Sequence, residues 1–292
     1  MIPRAIGLLA AGAASGLIGS LLGLGGGIFL IPALVLAFGV PMHSAVACGL
    51  VAVIATSSAG GSRNARFGFA NVRLGMTLET TTVLGALAGA LLAHRLPERA
   101  LIGLFTLLQF AVSVVLWRRR YPDAVPFPPA DGGAHGRAAR QGSALASPEE
   151  RGLLDGEYYD PAARQTVRYS VRNLPAALAA SLGAGLMSAL LGVGGGIVKV
   201  PALHLFCAVP MKAAAATSNL MIGVTAAASA AVYLGAGRVP ALISATVALG
   251  VLAGSQGGLW LSRRMSDAGV RRVFATVTLI IALLMLRRFL AG

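Results

Sequence analysis

Leu17 to Leu36 reads LIGSLLGLGGGIFLIPALVL, and Leu186 to Leu205 reads LMSALLGVGGGIVKVPALHL. Gly23, Gly25, Gly26, Gly27 and Pro32 stand against Gly192, Gly194, Gly195, Gly196 and Pro201, and the likeness runs on to Pro41 and Met42 against Pro210 and Met211. A segment that returns in this way marks a tandem of two related bundles. It also argues against reading Ile2 to Leu22 as a cleavable signal peptide, because the matching segment at Leu186 lies where no signal peptidase acts.

The sequence around these motifs is 56% hydrophobic and 12% charged over 292 residues, with a mean hydropathy of +0.77. Water-soluble domains carry roughly 25% charged residues, so lipid is the expected solvent. Each half reads alike. A long apolar segment (Ile6 to Leu22; Leu174 to Leu191) is followed by a glycine cluster, a short arm (Ile28 to Phe38; Ile197 to Ala208) and three fuller spans. The spans are His43 to Gly61, Val72 to Ala93 and Ala100 to Trp117, then Lys212 to Leu234, Pro240 to Leu261 and Val273 to Leu290. At about 1.5 Å per residue the arms reach about half of a hydrocarbon core of roughly 30 Å, so each reads as re-entrant or as one part of a broken helix. The expected fold is an all-α polytopic membrane protein: a first transmembrane repeat over 1–117, an aqueous linker over 118–172 and a second repeat over 173–292. Within the linker Thr166 to Val171 alternates like a strand and could pair with Glu157 to Tyr159 as a small hairpin.

The net charge of +14 and pI near 11.4 do not point to nucleic acid, because the arginines sit in loops between apolar runs. The positive-inside rule accounts for them. Arg118, Arg119 and Arg120 and the six arginines that follow place the linker in the cytoplasm. In the first half the basic loop is the one with Arg63, Arg66 and Arg73, whereas in the second it is the later one, with Arg263, Arg264, Arg271 and Arg272 around Asp267. An odd number of crossings per half puts all of these inside, which makes the halves inverted repeats with both termini on the extracytoplasmic face. A parallel arrangement would put the arginines around Asp267 outside.

The glycine clusters are the candidate site. Isolated glycines such as Gly12, Gly85 and Gly89 read as close helix packing. Three consecutive glycines followed by proline favour a helix break. A second limb that starts there as a helix presents free N–H groups and the positive end of its dipole, which suits an anion. Gly25, Gly26 and Gly27 would enter from one face and Gly194, Gly195 and Gly196 from the other, meeting near the midplane. Gly26 and Gly195 are expected to leave room for an oxyanion and to hold a backbone geometry that a bulky residue would resist. Packing alone is the competing reading.

Lys199 is costly in lipid and either faces the pathway or snorkels. Thr217, Ser218 and Asn219 offer hydroxyl and amide donors for oxyanion oxygens, or bonds between helices. Their first-half counterparts are Cys48, Gly49 and Leu50, so the two sides are not chemically equivalent. Glu79 reads as the partner of a loop arginine, with proton carriage as the alternative, and Gln109 and Gln256 are weaker donors. The glycines do not fit G-x-G-x-x-G, and no strand precedes them. No nucleophile–base pair or H-E-x-x-H motif is evident, and Cys48 and Cys207 lack metal or redox spacing, so no catalytic residue, metal or cofactor is expected.

With its paired motifs and the T-S-N run at Thr217, the sequence resembles the TauE/SafE family of sulfite and organosulfonate exporters over nearly its whole length. The resemblance implies a multi-pass protein of the bacterial inner membrane that exports sulfite or organosulfonates such as sulfoacetate. The partners it implies are a small anion and the lipid bilayer, with homodimerisation left open. Cys48-Gly49 departs from the family's tendency to repeat Thr-Ser in both halves. An anion channel, or a carrier of another small anion, is the alternative. With the cell interior negative, efflux of an anion is favoured by about 2.3 kcal/mol per charge per 100 mV without any coupling ion.

In a background lacking Cys48 and Cys207, a cysteine placed at Asp267 should react with an impermeant reagent only from the cytoplasmic side, as should one in the central linker. Labelling of Asp267→Cys from outside rejects the inverted arrangement.

Overall fold

The computed structural model describes residues 2–22, 26–66, 70–118, 152–160, 165–261 and 267–291. Among the described residues are ten helices, α1 (Ile2–Leu22), α2 (Gly27–Ala37), α3 (Met42–Arg66), α4 (Val72–Arg95), α5 (Glu98–Arg118), α6 (Leu174–Leu191), α7 (Gly196–Cys207), α8 (Met211–Gly235), α9 (Ala241–Leu261) and α10 (Asp267–Ala291). One antiparallel hairpin, β1 (Gly156–Asp160) with β2 (Gln165–Tyr169), lies between the two sets of five. Windows in α3, α4, α6, α8 and α9 are both long and apolar enough to cross a membrane. The chain is an all-helical, multi-pass membrane protein. Its outward faces suit lipid: Leu84 and Leu91 on α4, Leu107 and Phe110 on α5, Leu249 on α9 and Leu283 on α10 are all exposed.

The arms have 11 and 12 residues, so at about 1.5 Å per residue they cover roughly 16 to 18 Å. Each doubles back along the helix before it. Gly26, at the start of α2, faces the Ser15 carbonyl, while Phe38 at its end lies against Gly7 and accepts a 3.4 Å bond from Arg4. In the second half Gly195 faces the Ala184 carbonyl, and Arg172 N–H donates to the Cys207 carbonyl at 3.3 Å. Each arm therefore returns to the end of the bundle from which its preceding helix set out.

The two copies of the repeat lie 169 residues apart, as Gly25 is from Gly194, and the packing obeys this offset. Gly16 meets Val251 as Gly185 meets Thr82; Gly254 meets Ala13 as Gly85 meets Leu182; Gly258 meets Leu17 as Gly89 meets Leu186. Both contacts in each pair advance in step along their helices, so α1 runs parallel to α9 and α4 parallel to α6. These glycines let one backbone rest on another. The equivalent helices α5 and α10 run antiparallel, with Gly103 near the start of α5 facing Phe289 and Ser113 further along donating to the Ala275 carbonyl at 3.1 Å.

Proline inside α2 has a local remedy. Pro32 has no N–H for the Ile28 carbonyl one turn back, and the buried Gln109 on α5 donates to that carbonyl at 2.9 Å instead. Ile28, Leu30, Ile31 and Leu34 of α2 are fully buried.

The hairpin pairs Glu157 with Arg168 and Tyr158 with Val167. It is seated where α4 and α8 begin. Tyr158 is buried in a cluster with Leu74, Leu78, Leu203 and Met221, and Asn71 donates to the Leu154 carbonyl at 2.8 Å.

A Cβ at Gly89 would lie 2.5 Å from the Leu186 carbonyl oxygen, whereas one at Gly235 would meet nothing within 4 Å. Gly89→Ala should therefore lower unfolding stability in detergent by about 1–3 kcal/mol, the usual cost of overpacking, while Gly235→Ala is neutral or stabilising. Equal stability of the two variants would show that the α4–α6 seam does not require a bare backbone.

Candidate functional site

The second glycine break is a loop of left-handed residues. α6 ends at Leu191, Gly192 follows at φ +67, Gly194 and Gly195 at φ +83 and +71, and α7 starts at Gly196. Side chains rarely adopt such angles, so glycine is required by conformation as well as by space. A Cβ at Gly194 would lie 2.7 Å from Val53 and Ile222, and one at Gly195 would lie 2.9 Å from the Ala184 carbonyl oxygen.

The first break differs, and Gly25 lies outside the described residues. Gly26 has φ −72 and ψ −13, ordinary right-handed values, and a Cβ there would make only a normal 3.4 Å contact with Ser15. The expected backbone restriction holds at Gly195 and not at Gly26. Gly27 is constrained by space: it packs on the Gly192 carbonyl, where the two breaks meet.

Two buried hydroxyls flank the second break. Ser188 Oγ and Ser218 Oγ have no hydrogen-bond partner. A Cβ on Gly195 would stand 3.2 Å from the Ser188 Cβ, and one on Gly196 would stand 3.9 Å from Ser218 Oγ. The first bonds of α7 run from the N–H groups of Val198 and Lys199 to the Gly195 carbonyl, so the amides of Gly195, Gly196 and Ile197 precede its ladder. Amides, a helix dipole and two free hydroxyls thus flank the second break. A cavity no larger than a water molecule adjoins it, lined by Leu108, Ser188, Gly195 and Val198 among others.

Lys199 is one turn into α7 and does not snorkel, for its side chain is 1% exposed. Its ammonium pairs with Glu79 of α4 at 3.3 Å and donates to Thr225 Oγ1 of α8 at 2.6 Å. Thr225 in turn donates to the other Glu79 oxygen at 2.5 Å. Glu79 was expected to partner a loop arginine. It pairs with Lys199 because α4 packs against α8 and turns its carboxylate inward, away from the arginines among the described side chains.

The T-S-N run divides by direction. Ser218 faces the break. Thr217 Oγ1 accepts the Asn71 N–H at 2.9 Å and fastens the start of α4, while Asn219 contributes its backbone carbonyl to Ser57 Oγ at 2.7 Å. In the first half Cys48 Sγ lies 3.3 Å from Ser244 Oγ, the position equivalent to Thr217 against Gly75. Sequence reasoning missed Ser188 and Thr225. Thr225 carried one signal, since Thr56 occupies the equivalent place in the first half. Ser188 carried none, its counterpart being Gly19. Among the described residues, no three His, Cys, Asp or Glu side chains gather in a way that could hold a metal ion.

A protein-family model described as "Sulfite exporter TauE/SafE" matches residues 8–285. No curated protein and no solved structure matches significantly.

Removing one member of a buried ion pair typically costs about 3–5 kcal/mol because it strands the other charge. Lys199→Met and Glu79→Gln should each lower unfolding stability in detergent by an amount on that order, and the double variant should recover most of the loss. Additive losses in this cycle would mean that the two charges do not compensate one another.

Proposed function

The chain belongs to the TauE/SafE sulfite exporter family, and from that membership we propose that it exports sulfite or small organosulfonates such as sulfoacetate, binding the anion at the second glycine break. The family is one of membrane transporters, and its substrates are sulfur-containing anions. The observation that carries the reading is what flanks the second break: the α7 N-terminus, the left-handed Gly194 and Gly195, and the unpartnered hydroxyls of Ser188 and Ser218. A sulfonate or sulfite presents three oxygens, and this cluster presents amide and hydroxyl donors with a helix dipole behind them. Lys199 supplies a full positive charge one turn away, and Gly27 packs the first break against the Gly192 carbonyl. Thr217 and Asn219 support Ser218 by anchoring α8 to the start of α4 and to α3.

The same proposal includes inverted halves in a bacterial inner membrane, with the linker cytoplasmic and both termini outside. Its support is the loop arginines, the arms that return to their starting side and the antiparallel run of α5 and α10, since helices related by an axis in the membrane plane must point in opposite directions.

Radiolabelled flux in proteoliposomes against sulfite, sulfoacetate, sulfate, phosphate and acetate tests the reading. Saturable counterflow with sulfite or sulfoacetate supports it, whereas single-channel currents would favour a channel and flux confined to phosphate or acetate would reassign the substrate. Lys199→Ala should weaken substrate affinity more than about tenfold, or about 1.4 kcal/mol, and Lys199→Arg should keep part of it. Unchanged affinity in the alanine variant removes the lysine from the site.

A further inference from the structure

The charges buried beside the glycine break sum to zero. Lys199 and Glu79 are 1% and 4% exposed, and they form the one ion pair of the membrane interior among the described residues; the other pair, Arg168 with Glu157, is on the exposed hairpin. An anion that arrives at Lys199 while Glu79 is ionised sets two negative charges against one positive charge out of contact with water. Such an imbalance is strongly unfavourable in a low-dielectric interior. A proton on Glu79 removes it.

The hydrogen bonds around Thr225 accommodate that proton. Its Oγ1 is within reach of three groups: the Lys199 ammonium at 2.6 Å, Glu79 Oε1 at 2.5 Å and the Met221 carbonyl at 3.0 Å. A hydroxyl has one hydrogen and two lone pairs, so it serves only one of the two acceptors at a time. With Glu79 ionised, Thr225 donates to the carboxylate and accepts from Lys199. With Glu79 protonated, the carboxylic acid donates to Thr225 Oγ1, the hydroxyl hydrogen turns to Met221, and no polar atom is orphaned. Lys199 then has donors free for an anion.

Among the described side chains, other titratable groups on the packed elements do not replace Glu79. α6 carries none. On α7, His204 Nδ1 lies 2.9 Å from the Val209 carbonyl, and Cys207 is at the helix end with the hairpin's Tyr158 in its cluster. On α8, Tyr233 donates to the Ala189 carbonyl at 3.1 Å and stacks obliquely on His94 of α4. Across the repeat, Leu30 and Thr56 of the first half stand for Lys199 and Thr225, and Ala248 of the second half stands for Glu79, so the chain has one such device and not two.

We propose that Glu79 is a proton carrier whose ionised form competes with the anion for Lys199, so that each bound anion is accompanied by one proton and the chain is a proton–anion co-transporter. The proton comes from water, adds to a Glu79 oxygen as the anion takes its place at Lys199, and returns to water when the anion leaves. The cargo that balances one proton is a monoanion, bisulfite or a sulfonate. The membrane potential then does no work on the loaded, neutral site, and net flux follows the sum of the anion and proton gradients. This inference rests on the anion-site reading above.

Calorimetry of the purified protein with methanesulfonate, a monoanion that takes up no proton itself, and with bisulfite, each in two buffers of different ionisation enthalpy, tests it. Wild type should take up about one proton per anion, and its affinity should fall about tenfold per pH unit on the alkaline side. Glu79→Gln should still bind, with proton uptake and pH slope both lost; Glu79→Asp should restore both. Binding by wild type without proton uptake, or a pH slope that survives in Glu79→Gln, overturns the proton carrier and leaves the anion site standing. No binding of either anion overturns the anion site itself, and the carrier with it.

Discussion

A helix can be interrupted inside a bilayer only where protein supplies the hydrogen bonds that water supplies elsewhere. The two glycine breaks are therefore in the centre of the bundle, with Gly27 against the Gly192 carbonyl and the surrounding helices close enough to serve the exposed backbone. Individual side chains do much of this. Gln109 covers the carbonyl that Pro32 frees, Tyr233 reaches the Ala189 carbonyl near the end of α6, and Ser57 bonds the Asn219 carbonyl. Among the described residues, the hydroxyls of Ser188 and Ser218 at the second break are buried side-chain groups without a partner.

Holding the breaks together requires seams that approach closely, which explains the number of small residues outside the motifs. α1 against α9 and α4 against α6 are backbone-on-backbone contacts at glycines. Each seam joins a helix of one half to a helix of the other, so the halves interlock and do not merely abut. The arms are held inside this frame: α2 is buried almost all round, and α7 carries Lys199 into the same interior.

Much of this was legible in the sequence. The helices, the short arms and the hairpin follow from hydropathy, from the returning glycine motif and from the alternation around Thr166. Three features were not legible, for physical reasons. Gly26 and Gly195 occupy equivalent places in a repeated motif, yet one is right-handed and the other left-handed, because the backbone around a glycine follows what packs on it. Ser188 has a glycine as its counterpart, so the repeat does not flag it. Glu79 lies 120 residues from Lys199 in sequence, and no local pattern couples α4 of one half to the arm of the other. The nearby arginines were the natural local guess, but packing between the halves decided the partner.

The placement of that pair bears on how such a fold works. Lys199 and Thr225 belong to the second half and Glu79 to the first, so the ion pair is a tie between halves as well as a pair of charges. Any motion that separates α4 from α7 pulls a carboxylate from an ammonium in a low-dielectric interior, which opposes it, so an empty, fully ionised site returns only with the pair kept in contact. A proton on Glu79 and an anion at Lys199 neutralise each end separately, and the opposition disappears. Electrostatics alone thus discriminates against the partly loaded site: the empty pair and the fully loaded site are both neutral, and a site with only the anion or only the proton carries an unbalanced charge. Because Leu30 and Ala248 stand where the charges would fall in the other copy of this arrangement, only one such tie has to be released.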